Sequence, residues 1–484
     1  MNVLRFAKGN NMKGYQLGLL NTVFLAGFIG IVVLPFYIYM FGAGIFWEYL
    51  GIFVFMIIVW NVEAYRLMRY SRISEGIISL PGFFSARFDE RKGFLRILSS
   101  TEIIVISLVI AALMLKELNL VLLRIFEVNF DMIAFVILMI SAAVIGRYGM
   151  EALARSAMIK ATIFVVAMLS VGIYMYSNMG ILQLIRNMMQ TNITGSVSEY
   201  LNIVYHNGRL LGVNDYISLA SVGLLASGMP FLLSSFFTVN EAESISSGKK
   251  VSLVYSLLLF LLCAFVGGVS RGFLFKEKLT DSLSQYICYV YKNIANTGFA
   301  GRVLGSIYFI AVVLALIVGI EGTISVLVTI VYEDILRKGR LIRVKKKNEK
   351  WILMAIALLT GIAIFILGQC ITYLSIDLIL VFIATLGCSI SPTVFMALVW
   401  KRMNRCGCVA GLVSGLICVP AFKYIQFFEI SGMKASLCDV MGINSIAPST
   451  LISFAMIVIV SLLTKKESKE VEEEFLDVRN RLVD

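Results

Sequence analysis

The chain has 484 residues, of which 59% are apolar and only 15% charged, and its mean hydropathy is +0.89. A soluble domain carries roughly 25% charged residues, and no soluble core of this size hides so much apolar sequence. The composition excludes a secreted disulfide scaffold, a nucleic-acid binder and a disordered chain, and a net charge of +12 reads first as the Lys/Arg bias of loops on one side of a membrane.

Apolar stretches long enough to cross roughly 30 Å of hydrocarbon number about twelve. In chain order they fall at 17–41, 44–66, 99–125, 130–147, 153–177, 215–239, 251–274, 304–332, 351–369, 373–400, 408–427 and 447–464. The fold expected is all-α and polytopic. The first run is too long for a cleaved signal peptide. Lys and Arg concentrate at the amino terminus (Arg5, Lys8, Lys13), in the second connector (Arg66, Arg69, Arg72, Arg87, Arg91, Lys92, Arg96), and at Lys249-Lys250. They recur at Arg337, Lys338, Arg340, Arg343 and Lys345 to Lys347, and at Lys401, Arg402 and Arg405, all on one side. The positive-inside rule therefore puts both termini in the cytoplasm, in an integral protein of the plasma membrane. Connectors 178–214 and 275–303 fall on the outer side, where segments of this length carry short helices that act as lids. Asn192-Ile193-Thr194 matches a glycosylation sequon, and the tail at 465–484 reads as a solvated helix or disordered end.

Eight cysteines show no zinc-type spacing, and Cys406-Gly-Cys408 lies in a basic loop expected in the reducing cytoplasm. His206 is the sole histidine and cannot by itself build a His-based catalytic centre. No metal site, nucleophile pair or cofactor loop is visible, so neither an enzyme nor a cofactor is expected. The prolines say more. Pro35 in span 1 follows Gly27 and Gly30, and Pro230 in span 6 follows Ser227-Gly228. A proline removes a backbone donor and glycine weakens a helix interior, so both spans should kink or unwind. The breaks lie roughly 195 residues apart, and each opens a block of five spans, the pattern of two inverted repeats that begin with discontinuous helices lining a midplane site. Exposed backbone there can bind an ion or a carboxylate without a charged side chain. Pro392, in Gly387-Cys388-Ser389-Ile390-Ser391-Pro392, marks a third break consistent with a gate in span 10.

Several stretches resemble one family in order along the chain. Leu80-Pro81-Gly82-Phe83-Phe84-Ser85-Ala86-Arg87-Phe88, Gly228-Met229-Pro230, Glu333-Asp334 and Trp400-Lys401-Arg402-Met403-Asn404-Arg405 look like loops and helix ends of the sodium/solute symporter family, particularly its sodium/proline branch. The resemblance implies the inverted five-plus-five leucine-transporter fold. On that scheme residues 1–464 form one transporter domain, with repeat one at 17–177, repeat two at 215–400 and two extra helices at 408–464. It also implies a chain that starts at the core, without the helix many members carry before it.

Family members hold sodium with carbonyls of helices 1 and 8 and two adjacent hydroxyls on helix 8. Alignment on Pro35 and Glu333-Asp334 puts the carbonyls at Val23, Ala26 and Ala315 and the hydroxyl positions at Val318 and Gly319, which have none. Aspartates found in helices 1 and 5 fall on Leu25 and Ala157. A hard cation needs a shell of oxygens, and this one is depleted. Glu321, one turn beyond Val318, is the candidate proton or ion site, because an ionised carboxylate in mid-membrane usually faces a partner or a cavity. Glu102 in span 3 and Lys160 in span 5 are the other in-span charges noted. The expected function is a symporter-like secondary transporter for a small organic solute, an amino acid or related carboxylate, with Gly27, Gly30, Ser227, Gly228 and Ser389 at the solute site. Sodium is the coupling ion the family implies. The alternatives are proton-coupled or uncoupled transport through Glu321, and a transport-inactive membrane receptor or accessory protein.

Overall fold

The computed structural model describes every residue except 1–2, 9–11, 74–76, 91, 191–195, 207, 280–281, 340–347, 427, 431–432 and 481–484. The sequon at 192–194 lies outside the described residues, as do Arg91, Arg340, Arg343 and Lys345 to Lys347. Among those described, eleven helices are long and apolar enough to span a bilayer, and a bent pair makes a twelfth. Spans 1 to 6 are Gly14–Phe41, Ala43–Ile73, Phe94–Phe126, Asp131–Tyr148, Met150–Ser177 and the pair Val213–Gly228 with Pro230–Thr238. Spans 7 to 12 are Ala242–Phe273, Phe299–Arg337, Glu349–Cys370, Ile376–Val399, Arg405–Tyr424 and Ile446–Leu463. Each expected stretch is found, several with extra polar turns that hydropathy alone leaves out. Cys406 and Cys408, expected in a loop, lie in the first turn of span 11.

The spans form an inner and an outer ring. The apolar windows of spans 1 and 10 are 83% and 78% buried by protein, against 28% for span 4 and 33% for spans 11 and 12, whose remaining Leu and Ile side chains face outward as a lipid-facing surface requires. Span 1 packs along span 7 through small residues. A Cβ on Gly18 would fall 2.4 Å from the Gly248 carbonyl, and one on Gly267 2.7 Å from the Pro35 carbonyl. Thr22 reinforces the seam with hydrogen bonds to the Ser252 hydroxyl and carbonyl at 2.9 and 3.2 Å. Without a hydrophobic drive between helices in lipid, this close approach and the hydrogen bonds it permits hold the pair.

The three prolines act differently. Pro230 breaks span 6: Val222–Gly228 is wound as a 3-10 helix, Met229 is extended at φ −78° and ψ 113°, and the axis turns by 42°. A residue before proline is driven out of the helical region, which places the break at Met229. Pro35 does not interrupt span 1. Gly27–Val33 widens instead into a π-helix whose Leu34 N–H reaches back to the Ile29 carbonyl, and this wider turn absorbs the donor that proline lacks. Span 10 runs as an α-helix through Pro392, so the expected third break is absent. The carbonyl this proline leaves free, that of Cys388, lies where Gly415 of span 11 comes close enough that a Cβ there would be 2.4 Å away.

Both described termini lie on one side. The helix Val3–Lys8 packs on spans 5 and 8, and the helix Lys469–Asn480 packs on the end of span 2. The tail is docked, contrary to the solvated end expected: Val471, Phe475 and Val478 are buried, Phe475 lies under the Arg87 guanidinium at 4.5 Å, and Glu472 pairs with Lys401 at 2.8 Å. Those apolar residues recur at helical spacing, which gives the helix one face to bury. On the opposite side the expected short helices occur at Gly180–Met189, Val197–Tyr200 and Leu283–Ala295. Two antiparallel hairpins join them, pairing Tyr205 with Leu210 and Phe428 with Ala435.

A Cβ on Gly228 would sit 2.5 Å from Gly387 Cα, whereas one on Gly268 meets nothing within 4 Å. Gly228→Ala should therefore lower the unfolding temperature in detergent by several degrees, an overpacking penalty of about 1–3 kcal/mol, and Gly268→Ala should leave it within a degree or so of wild type.

Candidate solute and cation sites

The break in span 6 leaves a gap that spans 1, 2, 3, 8 and 10 close into a cavity of about 120 Å³. Its wall is apolar. Phe24, Phe28 and Ile29 come from span 1, Ile110 and Met114 from span 3, and Leu225, Met229 and Phe231 from span 6, while Glu48, Ser107 and Thr323 are the polar side chains on it. The Thr323 hydroxyl already donates to the Gly319 carbonyl at 3.0 Å. Toward the side bearing the termini, the rings of Phe24 and Phe231 stack with centroids 3.6 Å apart and form a floor. Gly322 makes room for it, since a Cβ there would lie 2.2 Å from the Phe24 ring. Below the floor, the space lined by Ser79, Ser234, Ser325 and Thr329 measures about 10 Å³. On the opposite side a vestibule of about 460 Å³ shares Glu48, Val222, Leu225 and Leu380 with the cavity, so the cavity adjoins open space from that side.

None of the five residues expected at the solute site lines this cavity. Gly27 faces spans 5 and 8, and Gly30 faces Phe260 of span 7. Gly228 packs on Gly387, the Ser227 and Ser391 hydroxyls hydrogen-bond each other, and Ser389 donates to the Leu412 carbonyl of span 11 at 2.9 Å. Small residues let helices touch, so these five build the seams behind the wall while their larger neighbours face inward.

The cation positions do come together. At Gly27 a Cβ would lie 3.6 Å from both the Ala315 carbonyl and Val318 Cγ1, and 3.8 Å from the Phe164 ring, so the π-turn of span 1 meets span 8 where the resemblance places the ion. Val23, Ala26, Ala315 and Val318 are all buried there. The Val23 carbonyl already accepts the Gly27 N–H, Val318 presents an isopropyl group, and Gly319 turns toward Met114 and the cavity. No side-chain oxygen comes from the five positions themselves.

Glu321 lies on another face of span 8. Its carboxylate forms a salt bridge with Lys160 of span 5, the two side chains being 13% and 7% exposed, and it borders a small space among Leu118, Ala134 and Leu138 of spans 3 and 4. It therefore faces away from the solute cavity. Lys160 is one helical turn before Phe164, which packs at Gly27, and its ammonium is turned to Glu321. Glu102 approaches Ser389 instead. His206 stacks on Phe41 at 5.0 Å, and burial pushes its imidazole below the usual pKa, which gives it a packing role.

Sequence reasoning missed Glu48, in the first turn of span 2. Its signal in the sequence is a carboxylate inside an apolar run. The connector before span 12 was also passed over, although Ser436, Cys438, Asp439 and Asn444 from it line the vestibule.

The family model described as the sodium:solute symporter family matches residues 6–415. The chain is 24% identical over 465 residues to the sodium/proline symporter of Staphylococcus aureus (strain Newman), covering 93% of this chain and 85% of that one. Its fold is similar to that of a solved Na+-coupled sialic acid symporter in a substrate-bound, outward-open state, with a TM-score of 0.74 at 13% identity over 97% of this chain and 94% of that one. It is also similar to MhsT in complex with L-phenylalanine, with a TM-score of 0.55 at 15% identity over 94% and 99% of the two chains. Both neighbours carry the leucine-transporter fold, the fold expected from the resemblance. The match runs over most of the sequence, and the chain, an integral membrane protein, belongs to the sodium:solute symporter family.

Proposed function

We propose that this protein moves a small organic solute across the membrane by alternating access, with the cavity beside the span 6 break as its solute site. One observation carries the reading: an apolar cavity at the break of a span, floored by Phe24 and Phe231 and adjoining a vestibule on the other side. Spans 1 to 5 and 6 to 10 are the two repeats, spans 11 and 12 are additions, and both termini are cytoplasmic in the plasma membrane, so the vestibule faces outward. Relatives named for proline and phenylalanine make an amino acid the first class to try.

Family membership supports sodium as the coupling ion. A second reading, proton-coupled or uncoupled transport, is favoured by the absence of hydroxyls at Val318 and Gly319 and by the Lys160–Glu321 pair beside them. In that arrangement Lys160 supplies a resident positive charge near the place of a bound ion, and protonation of Glu321 would release it.

Proteoliposomes loaded with unlabelled amino acids and offered labelled proline or phenylalanine should show counterflow. Binding without counterflow would contradict transport and favour the receptor reading. Under an imposed gradient, accumulation driven by sodium and unchanged in Glu321→Gln would contradict the second reading, whereas accumulation driven by protons and abolished in that variant would contradict sodium coupling.

The pair also makes a stability prediction. Removing one partner of a buried ion pair strands the other, at about 3–5 kcal/mol, while replacing both by apolar residues is near neutral. Glu321→Gln should therefore lower the unfolding temperature markedly, and the double variant Lys160→Met with Glu321→Leu should recover most of the loss.

A further inference from the structure

Glu48 is a carboxylate without a partner on the wall of the cavity. It is 8% exposed, it borders both the cavity and the vestibule, and among the described residues it makes no hydrogen bond or ion pair. Other acids in the spans differ. Both oxygens of Glu63, and one each of Glu102 and Glu117, are shut inside packed protein, while Glu321 is held by Lys160. An ionised carboxylate within the membrane is costly unless it faces a partner or a water-filled space, and the space Glu48 faces is one into which a solute fits.

The chemistry of the wall decides what kind of partner suits it. A metal ion wants a shell of oxygens, and apart from Glu48 the cavity offers the hydroxyls of Ser107 and Thr323. An organic ammonium group needs fewer, and its apolar body suits the aliphatic and aromatic remainder. The faces of Phe24, Phe28 and Phe231 also favour a cation over an anion. Among the described residues no Lys, Arg or His lines the cavity, so a solute carboxylate would meet no basic side chain from them there. The approach has the same sign: Tyr37, Asp377 and Asp439 line the vestibule with Lys423, Lys423 lies 3.9 Å from Asp377, and hydrogen bonds from Ser436 hold Asp439 below the usual carboxylate pKa.

Resting on the reading of this cavity as the solute site, we propose that Glu48 binds the ammonium group of the solute, and that for a given apolar body the site prefers the cationic amine to the zwitterionic amino acid, and the amino acid to the acid.

Two series of matched probes test this on the purified full-length protein, by calorimetry or ligand-induced thermal shift. One is pyrrolidine, proline and cyclopentanecarboxylate; the other is phenethylamine, phenylalanine and 3-phenylpropanoate. Within each series the body is kept while the charge goes from positive through zwitterionic to negative. The amine should bind most tightly and the acid not measurably. Glu48→Gln should weaken amine binding about tenfold or more, as loss of a charged hydrogen-bond partner does, and Glu48→Asp should keep part of it. Acids that bind as well as amines, amine binding unaltered in Glu48→Gln, or no binding by either amine would overturn the proposal. If Glu48→Gln does not fold, the charge series on wild type and the Glu48→Asp variant decide. Amine binding that needs Glu48 but gives no counterflow would sink transport and leave the ammonium site standing. Counterflow of an acid independent of Glu48 would do the reverse.

Discussion

A charge buried in a membrane is stabilised by an opposite charge brought to it, and one buried pair in this protein meets that requirement. Lys160 of span 5 and Glu321 of span 8 meet between the scaffold helices, and Phe164, one turn after Lys160, packs where span 1 widens into a π-helix against Ala315 and Val318. On the scheme the family resemblance implies, Val318 and Gly319 stand where hydroxyls would face a cation, and Glu321 of the Lys160–Glu321 pair borders spans 3 and 4. Among the described residues, Glu48 is the only acidic or basic side chain on the cavity wall, and it has no such counterpart. Glu321 is thus matched within the protein, and Glu48 faces the cavity.

Glycine seams make this arrangement possible. Span 6 can break at Met229 because Gly228 and Gly387 bring its backbone directly onto span 10, and backbone left without intrahelical partners is tolerated at membrane depth where protein or a cavity surrounds it. Span 1 approaches span 7 through Gly14, Gly18, Gly248 and Gly267, leaving its bulky residues to form the cavity wall. The stacked rings of Phe24 and Phe231 rest on Gly322 of span 8. The floor therefore joins spans 1, 6 and 8, the three elements whose relative movement would open the other side.

Much of the fold was legible because hydropathy reports directly on the bilayer. The spans were found, and the basic loops placed both termini on one side, where the described helices Val3–Lys8 and Lys469–Asn480 lie. Prolines were less decisive, since the consequence of a missing donor depends on what stands nearby. Pro230 broke its helix, Pro35 was absorbed by a π-turn, and Pro392 was tolerated where Gly415 approaches the freed carbonyl. Site residues were the least legible. Glycine and serine beside a break look like binding groups in sequence, yet Gly27, Gly30, Ser227, Gly228 and Ser389 are small because helices touch there. Glu48 carried the stronger signal, a charge with no reason to be in an apolar run. In the tail, the spacing of Val471, Phe475 and Val478 defines a face to bury.

The Lys160–Glu321 ion pair requires an ionised Glu321. Infrared difference spectroscopy of wild type against Glu321→Gln at neutral pH, in lipid, reports the protonation state of that one carboxyl group. An ion pair gives loss of an ionised carboxylate stretch in the variant, with Lys160→Met converting that band in the otherwise wild-type protein to the carbonyl stretch of a protonated acid. A protonated Glu321 band already present in wild type, unaltered by Lys160→Met, would contradict it.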